Sequence, residues 1–133
     1  MSAFEWPVRV YWEDTDAGGV VYHTGYIRFF ERGRTEWLRQ LGFSQARMAE
    51  ETGVLFSVVE LTTEFIQPAR LDDELIVHTR IAETGGATVT FEQQILRQPE
   101  GARIAAGRVR VACLDAKSFR PRRLPQSLRQ EFK

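Results

Sequence analysis

The sequence predicts an α+β domain in which one long central helix is wrapped by a curved antiparallel β-sheet. One observation is a helical segment at residues 24–41, whose apolar residues cover about half of the helix circumference. That arc is wider than the roughly 100° stripe of a helix that rests on a flat surface. The other is a run of four long strand-like segments between residues 55 and 114. Because so wide an arc needs cover on several sides, we expect the strands to twist around the helix.

The composition indicates a single globular domain over residues 1–133. The chain has 18 basic and 18 acidic residues, 43% hydrophobic residues and one cysteine. Zero net charge argues against nucleic acid as the main ligand, and one cysteine excludes a disulfide framework and indicates a reducing compartment. No apolar segment is long enough to span a membrane, and the first residues do not resemble a signal peptide. We therefore expect a cytoplasmic protein.

The first third of the chain predicts a strand, a loop and a helix. Residues 8–12 are aromatic and β-branched, which favours a strand. Residues 13–21 are rich in Asp, Thr and Gly, which is typical of a loop. The helix at residues 24–41 is followed by Gly42, a common residue just after a helix end.

The remainder predicts one short helix and a series of strands. Residues 43–52 favour a second helix, with Ser44 as its N-cap and Gly53 as its end. The pair Gly85-Gly86 indicates a hairpin between two of the strands. Alternating apolar residues predict strands at 55–67, 75–83, 88–97 and 102–114.

The zero net charge conceals an uneven distribution. Residues 117–133, which we call the basic tail, contain six basic residues and one acidic residue, Glu131, so their net charge is +5. The net charge of the rest of the chain is therefore −5. Such asymmetry indicates either a docking surface for an anion (a membrane headgroup, a partner or a ligand phosphate) or simply a solvated tail. The sequence leaves both interpretations open.

The densest polar cluster lies at residues 13–23, between the first strand and the long helix. The first amide groups of a helix have no partner within the helix and carry partial positive charge. The pair Gly18-Gly19 lets the backbone approach a bound group closely. A carboxylate facing the same space can activate water or attack a carbonyl. Together these features suit an acyl group whose carbonyl oxygen becomes negative in the transition state.

Spacing alone favours structural roles for the same residues. Asp14 and Asp16 are also typical turn or capping residues, and His23 could be a surface residue in the first helical turn. A metal site formed by Glu13, Asp16 and His23 is a weaker hypothesis, because one histidine with loop carboxylates is a poor ligand set.

Two further residues of reactive type have structural interpretations. His78 lies in a predicted strand, on the face opposite Val77 and Ile81, so we expect it on the surface of the sheet. Cys113 lies in the last predicted strand and is expected to be a small buried apolar residue.

Residues 10–23, continued by Tyr26, Phe30, Glu31 and residues 34–36, resemble the 4-hydroxybenzoyl-CoA thioesterase family of hot-dog proteins. Within that family they are most similar to the YbgC-type acyl-CoA thioesterases, which are associated with the Tol–Pal cell-envelope system. The similarity extends through residues 68–73 and 121–125 and so covers nearly the whole chain.

The resemblance implies a hot-dog fold and hydrolysis of an acyl-CoA thioester to a free acid and CoA, without a metal or other cofactor. Asp16 matches the catalytic aspartate of the family, a nucleophile or general base. The backbone N–H of His23 matches the group that polarises the thioester carbonyl, and its side chain is expected to orient water or the carboxylate. The residues expected to contact the substrate are Gly18, Gly19, Val20 and Tyr22.

The resemblance also implies homodimers, paired into tetramers, with each acyl pocket between the Asp16 loop of one protomer and the helix of its partner. A single sheet would leave an outer face and edge strands that need cover.

Two alternative functions stay open. One is a partner-binding role at the Tol–Pal complex with weak activity, for which the basic tail would dock an envelope or acyl-carrier partner. The other is dehydration of a hydroxyacyl thioester, which residues 14–16 fit poorly.

Overall fold

A five-stranded antiparallel β-sheet curves around one long helix in the computed structural model, which describes residues 3–132. The strand order is β1-β3-β4-β5-β2, so β1 and β2 form the two edges of the sheet. The predicted α+β arrangement is confirmed. The elements follow one another as β1 (Phe4–Arg9), a 3₁₀ turn (Trp12–Asp14), α1 (His23–Gln40), α2 (Gln45–Glu51), β2 (Val54–Phe65), β3 (Glu74–Thr84), β4 (Thr88–Arg97), β5 (Ala102–Asp115) and α3 (Gln126–Glu131).

Helix α1 has 18 residues and differs from its predicted range by one residue at each end. Gly42 has a φ of +96°, as expected of a glycine just after a helix. The helix packs a broad face against the sheet and leaves a charged face in solvent. Its buried residues are Gly25, Tyr26, Phe29, Phe30, Gly33, Trp37 and Leu38.

Two glycines allow α1 to lie unusually close to the sheet. A Cβ atom at Gly33 of the helix would lie 2.8 Å from Cγ1 of Val77 on β3. A Cβ atom at Gly107 of β5 would lie 2.7 Å from the ring of Phe30. Both separations are shorter than real Cβ contacts, so any larger residue at either position would push the helix away from the sheet.

The sheet curves because its strands are long and irregular. Strands β2 to β5 have 12, 11, 10 and 14 residues. The pairing register shifts within β2 at Val58/Glu60, within β3 at Ile81/Glu83 and within β4 at Ile95/Leu96. Because such irregularities increase the local twist of a sheet, they help the strands to follow the surface of α1.

A buried polar group lies between helix and sheet at the middle of α1. The Nε2 group of Gln93 on β4 donates hydrogen bonds to the Phe30 carbonyl at 2.9 Å and to Thr79 Oγ1 at 2.8 Å. Its Oε1 accepts a hydrogen bond from Arg34 at 2.9 Å. The amide is therefore satisfied although it is buried, and it ties α1 to two strands.

The predicted first strand at residues 8–12 is wrong in its position. Strand β1 spans Phe4–Arg9 and includes Pro7, which an edge strand tolerates because one side of its backbone needs no partner. The chain turns away after β1, where the N–H of Tyr11 donates to the carboxylate of Asp14 at 2.8 Å and closes the 3₁₀ turn.

The other predicted elements agree with the structure. The short helix is α2, and Ser44 caps it by accepting a hydrogen bond from the N–H of Arg47 at 3.4 Å. Gly85 and Gly86 lie in the hairpin between β3 and β4. The four strands β2 to β5 begin and end within two residues of their predicted bounds.

The basic tail is partly a core element, so its interpretation as a solvated tail is wrong for its apolar residues. Leu124, Leu128 and Phe132 are buried and join the cluster around the C-terminal half of α1. The ring of Phe132 lies 6.1 Å from the rings of both Trp37 and Phe91. The tail therefore closes the end of the helix–sheet sandwich.

His78 and Cys113 occupy the expected places. His78 projects from the outer face of the sheet, with Nε2 3.6 Å from a carboxylate oxygen of Glu5. Cys113 is buried, and this burial raises the pKa of its thiol.

Within residues 3–132, no helix combines the length and the apolar character that crossing a membrane requires.

Replacing Leu128 with Ala should lower the free energy of unfolding by about 2–5 kcal/mol, because the side chain is fully buried in the tail's contact with the core. Urea denaturation followed by tryptophan fluorescence measures this change. The matched control is Ser127→Ala on the exposed side of α3, expected to alter the free energy by less than about 0.5 kcal/mol. Equal stability of Leu128→Ala and the parent would contradict a structural role for the tail.

Candidate active site

A tight turn before α1 holds the carboxylate of Asp16. The N–H of Asp16 donates to the Val20 carbonyl at 2.9 Å, and the N–H of Gly19 donates to the Asp16 carbonyl at 3.0 Å. Gly19 has a φ of +78°, a conformation that glycine adopts without strain. The N–H of Gly18 donates to Oδ1 of Asp16 at 2.8 Å. Within the described part of the chain, Oδ2 of Asp16 accepts no hydrogen bond from the protein.

The two acids of this loop have different environments. Asp14 is buried; its carboxylate closes the 3₁₀ turn, and its carbonyl accepts a hydrogen bond from the N–H of Tyr22 at 3.0 Å. Asp16 is exposed and has room on one side for another molecule. The Asp14 carboxylate thus stabilises the 3₁₀ turn, and Asp16 is the carboxylate available for chemistry.

The end of the loop is anchored to a segment more than forty residues away in the chain. The N–H of Val21 donates to the carbonyl of Ala69 at 2.9 Å, and the N–H of Ala69 donates to the hydroxyl of Tyr26 at 3.0 Å. Burial raises the pKa of Tyr26, and the negative charge of Asp16 adds to this effect. The Tyr26 hydroxyl therefore stays neutral and serves as an anchor between α1 and the Ala69 segment.

Helix α1 begins at His23, beside this loop. Its N-cap residue, Tyr22, makes no side-chain capping hydrogen bond. Among residues 3–132, the backbone amides of His23 and Thr24 have no hydrogen-bond acceptor. The start of α1 therefore offers two free donors and the partial positive charge of the helix dipole.

Asp16 and the start of α1 face one open groove of about 350 Å³, which we call the catalytic groove. The ring of Tyr22 lies 4.3 Å from that of His23. The ring of Phe65, at the end of β2, lies 5.7 Å from Tyr26 and 6.4 Å from His23. The groove is thus lined by a carboxylate residue, by the first residue of α1 and by an aromatic wall. Its lining consists of Asp16, Val20, Val21, Tyr22, His23, Tyr26, Phe65, Ile66, Gln67 and Pro68.

Four of the six site residues named from the sequence line the groove: Asp16, Val20, Tyr22 and His23. Gly18 and Gly19 do not; they form the adjoining turn, where a Cβ at Gly18 would lie 3.2 Å from Oδ1 of Asp16. Glu13 is also outside the groove lining.

The opposite wall, at residues 65–68, is absent from the site inferred from the sequence. The sequence shows an apolar pair, Phe65 and Ile66, shortly before Pro68, but nothing local places this pair against α1.

The weaker hypothesis of a metal site is not supported by the arrangement of these side chains. In the part of the chain that the structure describes, no group of three or more His, Cys, Asp or Glu residues is close enough to hold a metal ion. Glu13, Asp16 and His23 are therefore not assembled as a ligand set.

The sequence model of the thioesterase-like superfamily matches residues 10–132. An acyl-CoA thioester hydrolase, YbgC, from Escherichia coli is 50% identical over 133 residues, which cover 99% of this chain and 97% of that protein. An acyl-CoA thioesterase, YbgC, from Haemophilus influenzae is 44% identical over 131 residues, which cover 98% of this chain and 95% of that protein.

Solved structures share the fold. A 1,4-dihydroxy-2-naphthoyl-CoA thioesterase from Synechocystis superimposes with a TM-score of 0.92 at 21% identity, covering 98% of this chain and 95% of that chain. A probable thioesterase from Bartonella henselae gives a TM-score of 0.86 at 37% identity, covering 93% of this chain and all (100%) of that one. The hot-dog fold is thereby confirmed.

The superfamily model matches nearly the whole domain, and the two YbgC relatives are 44–50% identical to it. Both findings agree with a groove formed by Asp16 and the start of α1. The chain therefore belongs to the thioesterase-like superfamily, within its YbgC-type acyl-CoA thioesterases, and is a thioester hydrolase.

Proposed function

We propose that the chain hydrolyses acyl-CoA thioesters in the catalytic groove, with Asp16 and the His23 amide as its reacting groups. The observation that carries this proposal is that the exposed Asp16 and His23, whose backbone amide has no acceptor among residues 3–132, line the same groove. The Escherichia coli and Haemophilus influenzae relatives are both acyl-CoA thioesterases, which supports the substrate class.

The His23 amide acts on the carbonyl oxygen of the thioester. That oxygen gains negative charge when the tetrahedral intermediate forms, and a backbone N–H at a helix N-terminus stabilises such charge. Because the donor belongs to the backbone and α1 is held against the sheet, it needs no rearrangement during the reaction.

Asp16 can act on the carbonyl carbon by two routes. As a nucleophile, its free carboxylate oxygen bonds to the carbonyl carbon, the C–S bond breaks, and CoA leaves as a thiolate that takes up a proton. Water then cleaves the acyl-aspartyl anhydride and restores the carboxylate. As a general base, Asp16 instead takes a proton from the attacking water and passes it to the departing sulfur. Both routes consume one water and yield the free acid and CoA, without a metal or redox cofactor.

We further propose that the working unit is a homodimer paired through β2. This strand is a long edge of the sheet, and an exposed apolar edge is a template for pairing with another strand. Val58, Val59 and Phe65 have 49%, 50% and 51% of their surface exposed, and Leu61 and Ile66 have 37% each. Antiparallel pairing of two β2 strands would cover these residues and continue the sheet through the dimer.

Such pairing would also complete the catalytic groove. Phe65 and Ile66 lie at the end of β2 and line the groove. In an antiparallel pair, the end of one β2 strand lies beside the beginning of the other. The groove of one protomer would therefore open toward the C-terminal half of α1 in its partner, which would supply a wall for the acyl group. Association of two such dimers into a tetramer stays a prediction.

The alternative functions also stay predictions. Dehydration would release water from a hydroxyacyl thioester without freeing its thiol, so assaying both products with one substrate separates the two reactions. A Tol–Pal or acyl-carrier partner is an expectation from the resemblance and the basic tail, and a cytoplasmic location is an expectation from the composition.

Replacing Asp16 with Asn should lower kcat by about 10²–10⁴-fold, because the amide can neither accept the proton nor attack the carbonyl. Release of free thiol from a panel of acyl-CoAs measures the loss. Glu13→Gln is the matched control, since it neutralises an exposed carboxylate of the same loop outside the groove. Parent-like turnover by Asp16→Asn would exclude both proposed roles of this residue.

The role of the His23 amide can be separated from that of its side chain. Proline is well tolerated at the first residue of a helix, and Tyr22, with φ −64° and ψ 143°, already has the conformation that a following proline requires. His23→Pro removes the N–H and should lower kcat by about 10²–10³-fold. His23→Ala keeps the N–H and should retain most of the activity. If both variants lose activity equally, the side chain is the essential group.

Replacing Leu61 with Lys should convert the dimer to monomers, because a charge would be buried in the paired edge. Sedimentation equilibrium measures the mass, and the hydrolysis assay measures the accompanying loss of activity. Leu71→Lys is the control, an exposed apolar residue outside β2. A Leu61→Lys variant that keeps the parent's mass would place the interface elsewhere.

A further inference from the structure

Tyr26 is a buried residue of the catalytic groove whose hydroxyl proton has no partner in the described part of the chain. The residue is only 4% exposed, yet it belongs to the groove lining. Its hydroxyl oxygen accepts the N–H of Ala69 at 3.0 Å, but among residues 3–132 the hydroxyl donates no hydrogen bond. A tyrosine hydroxyl can donate as well as accept, and a buried donor without an acceptor is costly. This O–H therefore favours an acceptor supplied from the groove.

The hydroxyl of Tyr26 lies where the two sides of the groove meet. Its partner Ala69 also accepts the N–H of Val21, at 2.9 Å, through its carbonyl. Val21 lines the groove on the side of the Asp16 loop, and Pro68, which precedes Ala69, lines it on the opposite side. The backbone that joins the two sides therefore holds the hydroxyl in place.

The carboxylate of Asp16 is near this hydroxyl but does not contact it directly. Burial raises the pKa of Tyr26, and the negative charge of Asp16 raises it further, an effect that weakens with distance. Among residues 3–132, no hydrogen bond joins the two side chains, and Oδ2 of Asp16 accepts no hydrogen bond from the protein. Polar groups that are close, but beyond direct hydrogen-bond distance, are commonly bridged by water.

We propose that the Tyr26 hydroxyl and the Asp16 carboxylate together hold the hydrolytic water, an inference that rests on the function proposed above. The O–H of Tyr26 donates to the water oxygen, and the water donates one of its protons to Oδ2 of Asp16. The other lone pair of the water oxygen is then free to attack the carbonyl carbon. Tyr26 keeps its own proton throughout, so it positions the water, and the carboxylate accepts the proton that the water loses.

This arrangement serves both routes of hydrolysis. In the general-base route, the held water attacks the thioester carbonyl and gives its proton to Asp16. In the nucleophile route, one Asp16 oxygen carries the acyl group, and Tyr26 still holds the water that cleaves the anhydride. The ring of His23 instead packs beside the rings of Tyr22 and Phe65, at 4.3 and 6.4 Å. The orientation of water, expected of the His23 side chain, therefore falls to Tyr26.

The first test measures which nucleophile receives the acyl group. Added hydroxylamine competes with water for the same carbonyl and yields a hydroxamate in place of the free acid. Tyr26→Phe removes the hydrogen bond to water, so acid formation should fall about tenfold. Hydroxamate formation should fall less than about twofold, because hydroxylamine is a stronger nucleophile and does not depend on this hydrogen bond. After subtraction of the reaction without enzyme, the ratio of hydroxamate to acid should rise about fivefold or more.

Two variants of the same groove serve as matched controls. Tyr22→Phe removes a hydroxyl from a neighbouring tyrosine, and His23→Ala removes the imidazole; both should keep the product ratio within about twofold of the parent. A purely structural role of the Tyr26 hydroxyl, or its donation to the carbonyl oxygen, would lower both products alike. An unchanged ratio in Tyr26→Phe, or the same rise in either control, would overturn the proposal.

The second test requires neither hydrolysis nor a folded variant. A high-resolution crystal structure of the parent should place a water within about 2.6–3.2 Å of both the Tyr26 hydroxyl oxygen and a carboxylate oxygen of Asp16. A direct hydrogen bond between the two side chains, or water bound to Asp16 alone, would overturn the proposal. Parent-like turnover of Asp16→Asn together with this water would instead refute the proposed role of Asp16 and leave the water site standing.

Discussion

The close packing of α1 against the sheet is the constraint on which the rest of the structure depends. Gly33 on the helix and Gly107 on β5 leave no room for a side chain between the two layers. At this separation, the main-chain carbonyl of Phe30 comes within hydrogen-bond distance of Gln93, which is also tied to Thr79. The distance of α1 from the sheet is therefore fixed, as well as the direction of its axis. A displacement of even a few tenths of an ångström would disturb both the apolar contacts and this polar link.

A fixed helix gives the active site a fixed reference point. The start of α1 is held by the packing of the helix on the sheet, and the Asp16 loop is attached through Ala69 and Arg70 to the segment between β2 and β3. Tyr26 joins the two, because its side chain belongs to α1 and its hydroxyl accepts the N–H of Ala69. Packing thus determines the separation between the Asp16 carboxylate and the free amides at the start of α1. In the mechanism that we propose, carbonyl polarisation therefore needs no mobile side chain, so an exposed groove can still be preorganised.

Much of this architecture could be predicted from the sequence, because its signals are local. The wide apolar arc of α1, the cap at Ser44 and the glycine hairpin each depend on neighbouring residues. The position of β1 could not be predicted in this way, since Pro7 argues against a strand unless that strand is known to be an edge. Likewise, the groove wall at residues 65–68 depends on long-range contacts with α1 that no local pattern contains.

The basic tail shows how a few apolar residues decide where a charged segment lies. Its charge pattern alone left a docking surface and a solvated tail as equal interpretations. Its apolar residues settle where it lies, because Leu124, Leu128 and Phe132 are buried against the core. Because the backbone is held there, Arg123, just before Leu124, and Arg129, just after Leu128, both line a cleft beside the glycine hairpin.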